Sequence, residues 1–541
     1  MVMRTADTVF INGRVITLDD HKPEAEAVAV IDGKIAAVGA EEEMNKWVGP
    51  KTRQVNWDQQ VVVPGFNDSH LHLYVYGQAL TWVMLGGVQS IEEIKQKVKE
   101  KAKETPPGQV IMGRGWDQTL FAENRFLDRF DLDEAAPDHP VALSRVCGHV
   151  MVVNSQALAL AEIDQNTPDP EGGKVDKDTQ TGEPTGILKE TAKLLFTKKA
   201  PKPTHGERKE MIKTAIEKAV SCGLTSVTTD DIRGNLIERI EECLAIYKEI
   251  WKEDGPVLRV NLLVYQDALD ELLSLGLKTF DGDEKVRIGA LKLVQDGSLG
   301  ARTGHVKKPY QNEPENYGLP VHTHESLDQW VWKGHEAGMQ VGIHVIGDAA
   351  SDACLDAMEK AQDKKFRADA RHRLIHFTLV DQKMLERTKK LGVGADIQPR
   401  FVSLNGRRVE EFLGPQRAKM TYAWRSMLEY GIEVAGGSDC PVDRIEPLLG
   451  IHNAVNRQVD SVPGMVFQPS EKLSVEDALK IYTLGSAYST FEENIKGNIK
   501  TGKLADFTVL SEDPRAVPEE IDKIEVNMTV VGGKIVYNKD E

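Results

Sequence analysis

"VVVPGFNDSHLHL", residues 61–73, opens on three branched apolar residues, breaks at Pro-Gly and ends on two histidines one residue apart. An extended chain sends residues i and i+2 to one face, so His70 and His72 point the same way while Ser69 and Leu71 point the other. Two imidazoles so placed offer two neighbouring nitrogen ligands, which is half of a metal site. Two surface histidines at a strand end would be spelled the same way, so the rest of the chain has to decide.

Seven more short apolar runs follow, separated by helical stretches. They are "LTSVTTDD" at 224–231, "VLRVNLLVYQ" at 257–266, "VRIGALKLVQDG" at 286–297, "MQVGIHVIGD" at 339–348, "HRLIHFTLV" at 372–380, "LGVGADIQPR" at 391–400 and "GIEVAGGSDCPV" at 431–442. Intervening helical patterns such as "RKEMIKTAIEKAVSCG", "SLDQWVWKGHEAG" and "DQKMLERTKKLG" stop at Gly, as helix C-termini often do. Eight strand-helix units predict an α/β fold with a closed parallel (β/α)8 barrel over residues 61–495. An insertion at about 78–205 follows the first strand, and within it the polar stretch "EIDQNTPDPEGGKVDKDTQTGEPTG" reads as loops. Residues 1–60 and 496–541 alternate short strands with Gly turns, and neither end alone has enough strands to bury a face. The two ends are therefore expected to pair into one small β domain.

Composition narrows the function classes. The 541 residues include 67 Lys+Arg against 84 Asp+Glu, a net charge of −17 that argues against nucleic acid or an anionic membrane as partner. No apolar run approaches the length needed to span a bilayer, and "MVMRTADTVFINGRV" carries no secretory h-region, so a cytoplasmic location is expected. The five cysteines, Cys147, Cys222, Cys243, Cys354 and Cys440, are scattered without a Cys-x-x-Cys pair, which indicates neither a disulfide framework nor a zinc ribbon.

A barrel turns the opening question into a test, because active-site groups sit at the C-terminal ends of its strands. Read off in order, those ends carry His70 and His72 on the first run, Lys292 on the fourth, His344 on the fifth, His376 on the sixth and Asp439 on the eighth. Each has a bland reading as a snorkelling lysine, a packed imidazole or a helix cap. Six such residues at strand ends around one axis point together to a metal site.

At this point the chain resembles the metal-dependent amidohydrolase superfamily, and within it the amidohydrolase-3 group that holds the YtcJ-like and N-substituted formamide deformylase-like proteins. The resemblance runs through "ADTVFINGRVITLD", "VPGFNDSHLHL", "GRGWDQTLF", "HVMVVNSQAL", "DGSLGARTG", "IHVIGDAA", "RLIHFTLV", "GGSDCPV" and "GNIKTGKLADFTVL". It implies a barrel joined to a β-sandwich built from both termini, with one or two zinc ions at the barrel mouth. By the same analogy His70 and His72 bind the more buried metal, His344 and His376 the other, and Asp439 both holds metal and moves a proton. In binuclear relatives a fourth-strand lysine is carboxylated and bridges the ions, and Lys292 occupies the matching run. An unmodified lysine, with a pKa of about 10.4, binds metal poorly at neutral pH, so the carbamate is what this role requires.

The reaction so implied is zinc-dependent hydrolysis of a non-peptide C–N bond in a small molecule, with Asp439 as general base and then general acid. Candidate substrates run from N-formyl and other N-acyl amines to cyclic amides and small esters. A deaminase of the same superfamily is the alternative, although Gly347 stands where such enzymes usually carry a glutamate. A barrel that binds a small ligand or regulates a partner without catalysis is another. Trp116, His149 and Arg302 are candidate substrate contacts. Trp116 and His149 would serve if the insertion roofs the barrel mouth, and ordinary packing is the other explanation; Arg302 would hold a carboxylate or pair with a loop acid. "HTHE" at 322–325 reads as a helix start, and Cys440 as packing, since nothing pairs it with a general base. A homodimer is the default assembly.

Overall fold

The computed structural model describes residues 4–145, 149–232, 237–255 and 257–541, so Cys147 lies outside the described residues. Two compact units divide the chain, one formed by Met1–Tyr76 with Ile212–Glu541 and the other by Gly77–Met211. Among the described residues no helix is long and apolar enough to cross a membrane.

All eight runs become strands of one parallel sheet in the first unit. They are β1 (Phe66–Leu71), β2 (Leu224–Ile232), β3 (Arg259–Tyr265), β4 (Val286–Val294), β5 (Val341–Val345), β6 (Arg373–His376), β7 (Gly394–Ile397) and β8 (Val434–Gly436), hydrogen-bonded in that order. Strands covered on both faces read as continuous apolar runs, which is why they were visible. The last strand is short, and the barrel closes beyond it through two backbone bonds. Asp439 N–H donates to the His70 carbonyl and His72 N–H to the Cys440 carbonyl, both at 2.8 Å.

The helices between strands obey their end signals. Gln382–Leu391 starts on Asp381, whose carboxylate accepts the Met384 N–H, and stops at Gly392 with φ +62°, a left-handed residue that glycine adopts without strain. Helix Asp348–Lys364 buries Ala350, Ala353, Cys354, Ala357, Met358 and Ala361, a stripe at helical spacing.

The opening run splits in two. Val61–Pro64 lies in a six-stranded sheet between Arg14–Ile16 and Phe507–Leu510, and β1 begins only at Phe66. That sheet also holds Glu24–Ala25, Val526–Val531 and Lys534–Asn538. A second sheet joins Lys34–Gly39, Ala27–Ile31, Thr8–Ile11 and Arg53–Asn56. Phe10 and Trp57 stack at 4.9 Å with Phe507 edge-on to both, in a core that draws on both sheets. Three Val in a row suit either sheet, so the run alone could not say which one owned it.

The second unit is a six-stranded mixed sheet, in the order Gly173–Lys177, Pro184–Glu190, Val150–Val153, Val141–Arg145, Ile111–Trp116 and Val83–Met84. The stretch read as loops thus contains an antiparallel hairpin. Its polar composition concealed it, since only a few side chains, Val175 and Leu188 among them, are buried. Helix Ile91–Glu104 starts on Ser90 and packs Ile91, Ile94 and Val98 into the core of this unit.

Candidate metal centre

At the C-terminal ends of the barrel strands four side chains converge. Asp439 Oδ1 lies 3.1 Å from His72 Nε2 and 3.5 Å from His70 Nε2, while Lys292 Nζ lies 3.1 Å from His70 Nε2. A zinc ion with bonds of 2.0–2.2 Å in a tetrahedral shell separates its ligand atoms by about 3.3–3.6 Å, so these donors stand near the edges of a coordination polyhedron. One potential ligand group joins His70, His376 and Asp439, and another His70, His72 and Asp230, with ligand atoms within 4.8 Å of one another in each. The His344 and His376 rings are 4.3 Å apart, and His376 is 5.8 Å from His70.

The rings are oriented by partners on neighbouring strands. His344 donates Nε2–H to the Gly297 carbonyl at 3.0 Å, which leaves its lone pair on Nδ1. His376 Nδ1 meets Gln398 Oε1 at 2.6 Å, so its lone pair is on Nε2, and Phe401 lies parallel to the ring at 6.0 Å. His72 Nδ1 is hydrogen-bonded to Asp230, whose other oxygen accepts from the Tyr265 hydroxyl at 2.8 Å. Below the site Asp68 accepts the backbone N–H groups of His70 and Ser438 at 3.0 Å and so ties β1 to the chain beyond β8. Arg373 pairs with Asp396 at 2.5 Å and donates to the Ser69 carbonyl. His376 at φ +76° and Asp439 at φ +59° hold backbone conformations that non-glycine residues rarely adopt, and such strain gathers at functional sites.

Electrostatics favours neutral nitrogen donors in an acidic setting. Burial pushes His376 down to about 4 and His70 and His344 well below the ordinary histidine range, so all three offer lone pairs at neutral pH. Burial likewise lowers the Lys292 amine, with Asp230 and Asp439 opposing it. Burial would also discharge His72, but Asp230 and Asp439 outweigh it and lift the ring to about 10. A field that holds a proton on this half-buried imidazole equally favours a divalent cation.

The match to the amidohydrolase family model extends over residues 55–537, which takes in all eight strands and every residue above. The chain belongs to the amidohydrolase family. YtcJ of Bacillus subtilis strain 168 is 37% identical over 98% of this chain and 99% of its own. N-substituted formamide deformylase of Arthrobacter pascens is 27% identical over 98% of each. The crystal structure of an uncharacterized metal-dependent hydrolase from Pyrococcus horikoshii OT3 superposes with a TM-score of 0.79 at 31% identity, covering 95% of this chain and 99% of that one. The family is one of metal-dependent hydrolases, and the fold and donor set of this member fit that chemistry.

The barrel of this amidohydrolase-family chain brings together His70, His72, Lys292, His344, His376 and Asp439. The three candidate substrate contacts each have partners of their own. Trp116 is fully buried in the core of the second unit, between Phe121 and Phe126, with its indole N–H on the Leu143 carbonyl at 2.9 Å. His149 is exposed and meets Glu190 at 2.9 Å. Arg302 pairs with Glu313 at 2.6 Å within its own loop. Helix His324–Glu336 starts just after "HT", with Thr323 as its cap. Burial pushes the Cys440 thiol far above its ordinary value, which removes it as a nucleophile. Sequence reasoning missed Asp68, Asp230, Tyr265 and Gln398. The adjacent acids at the end of "LTSVTTDD" were a usable signal, because a barrel strand ending on a carboxylate directs it toward the same mouth.

Proposed function

We propose that the protein is a zinc hydrolase that cleaves the amide-type C–N bond of a small N-acyl or N-formyl amine or a cyclic amide. The observation that carries this reading is the convergence of His70 Nε2 and His72 Nε2 on Asp439 Oδ1, with Lys292 Nζ against His70 Nε2. His70 and His72 would hold one ion and His344 and His376 a second, with Asp439 on the first and a carboxylated Lys292 shared between them. When bound, zinc supplies Lewis acidity and brings the ionisation of water to near pH 7. Asp439 accepts the proton that this releases and returns it to the leaving amine, which departs neutral. Burial keeps His70, His344 and His376 unprotonated at neutral pH, so their lone pairs stay available to hold metal.

The likeness to N-substituted formamide deformylase supports an amide substrate. Deamination is disfavoured by Gly347, because a Cβ there would stand 2.0 Å from the His305 carbonyl oxygen, leaving no room for a shuttling glutamate. The test is elemental analysis of protein purified without chelator or metal-affinity resin, followed by an amide and formamide panel on metal-loaded enzyme. One or two zinc ions per chain with turnover of an amide are expected. Absence of transition metal after incubation with zinc and bicarbonate would overturn the reading.

A further inference from the structure

Strand β2 supplies nothing to the ligand set expected from the sequence, yet it ends on a fully buried carboxylate in the middle of the site. Asp230 has both oxygens engaged. One is hydrogen-bonded to His72 Nδ1 and the other accepts from the Tyr265 hydroxyl at 2.8 Å. A carboxylate only accepts, so the proton of a neutral His72 resides on Nδ1 and the lone pair on Nε2, the nitrogen that faces Asp439.

His72 needs such a brace more than its neighbours do. His70 and His376 are strand residues with buried rings, whereas His72 follows the last residue of β1, and its side chain is 22% exposed, against 1% for His70. Its surroundings are built by the end of β2. Thr229 Oγ1 accepts the Leu73 N–H at 2.8 Å, Asp231 accepts the Tyr74 N–H at 3.0 Å, and Asp230, pointing to the opposite face of the strand, takes the His72 ring. The acceptors also differ in kind. His344 and His376 lean on neutral oxygens, and His70 Nδ1 has no hydrogen-bond partner among the described residues, so His72 stands apart in having an anionic one. A carboxylate on the far nitrogen makes an imidazole a stronger donor and fixes its tautomer and plane.

We propose that Asp230 is a positioning residue that presents His72 Nε2 to the metal, and that Tyr265 locks Asp230 in turn. This rests on the reading of His72 as a metal ligand. Competition of bound zinc against a chromophoric chelator, the visible spectrum of the cobalt(II)-substituted protein and melting of the metal-free protein test it, on full-length Asp230→Asn, Tyr265→Phe and His72→Ala. Asp230→Asn is expected to weaken zinc binding by about 10- to 100-fold and to shift the cobalt bands. Tyr265→Phe should weaken binding a few-fold, and melting of the metal-free protein should change little in either. Wild-type affinity and spectrum in Asp230→Asn overturn the proposal while His72→Ala still loses metal, so the ligand reading survives. Metal loss in Asp230→Asn as complete as in His72→Ala would make Asp230 a ligand and overturn it as well. Wild-type zinc affinity in His72→Ala removes the ligand reading and the proposal together. If Asp230→Asn does not fold, Tyr265→Phe decides, and unchanged affinity there counts against the brace.

Discussion

Lys292 Nζ stands 3.1 Å from His70 Nε2 at a position closed to solvent, where one hydrogen bond is the most the pair can share. An ammonium there has no lone pair to give a metal, so a charged Lys292 and an ion bound between these two atoms exclude each other. Carboxylation resolves the conflict by turning a cation into an anionic oxygen donor. Metal-free protein reloaded with zinc in carbon-dioxide-free buffer is therefore expected to recover much less activity than with bicarbonate. Equal recovery under both conditions would rule the carbamate out, and Lys292→Met should lose at least about 100-fold in kcat/KM on the scale of other metal-shell and proton-transfer groups.

Asp439→Asn separates proton transfer from architecture. The amide cannot accept a proton, so kcat should fall by about 10²- to 10⁴-fold. The backbone N–H of residue 439 still reaches the His70 carbonyl, so thermal melting of the metal-free variant should stay close to wild type. A variant with wild-type kcat on an amide substrate would assign the proton to another group.

Gly437 sets how closely β1 and the chain after β8 approach. A Cβ there would stand 2.8 Å from the His70 backbone nitrogen and 2.9 Å from an Asp68 oxygen. Gly437→Ala is expected to cost about 1–3 kcal/mol by forcing these apart, and to weaken zinc binding with it. Denaturant melts and the same chelator competition check both effects, and an unchanged variant would mean that the seam can widen freely.

Just before β6, His372 accepts the Val341 N–H at 3.0 Å, and its other nitrogen meets His335 Nδ1 at 2.8 Å, while His335 Nε2–H goes to the Lys365 carbonyl at 2.7 Å. Burial pushes His372 down to about 3, and the neighbouring His335 adds to the effect. Above pH 6.5 both folded and unfolded chains leave this ring neutral. Between pH 6.5 and about 3 only the unfolded chain takes up the proton, so stability falls as the solution is acidified, by about 1.4 kcal/mol per pH unit at most. His372→Gln should be less stable at pH 7 yet lose less between pH 6 and pH 4. Parallel curves for the two proteins would refute the assignment.

The barrel was legible because its strands are buried on both faces and its proposed ligands fall at strand ends, where topology alone gathers them. His70, His72, Lys292, His344, His376 and Asp439 could be named without knowing one distance. Residues that orient those ligands were harder to see. Asp230 is 158 positions from His72, and an acid at a strand end is spelled like a turn or a helix cap. Trp116 could be read in two ways, as a substrate contact or as ordinary packing, and only the structure shows its indole committed to the core of the second unit. The hairpin at 173–190 was hidden by its polarity, because a sheet with one buried face needs only a few apolar side chains.

Val61–Pro64, which leads into β1, is paired on one side with Phe507–Leu510. A chain emerging from the ribosome has every proposed ligand once residue 439 is made, yet the strand that anchors the first two has no partner on that side until about 70 residues later, several seconds of synthesis. Through that interval the edge of Val61, Val62 and Val63 is open to any other strand, and chaperone dependence and yield should respond to changes near residue 507 as strongly as to changes in the site itself.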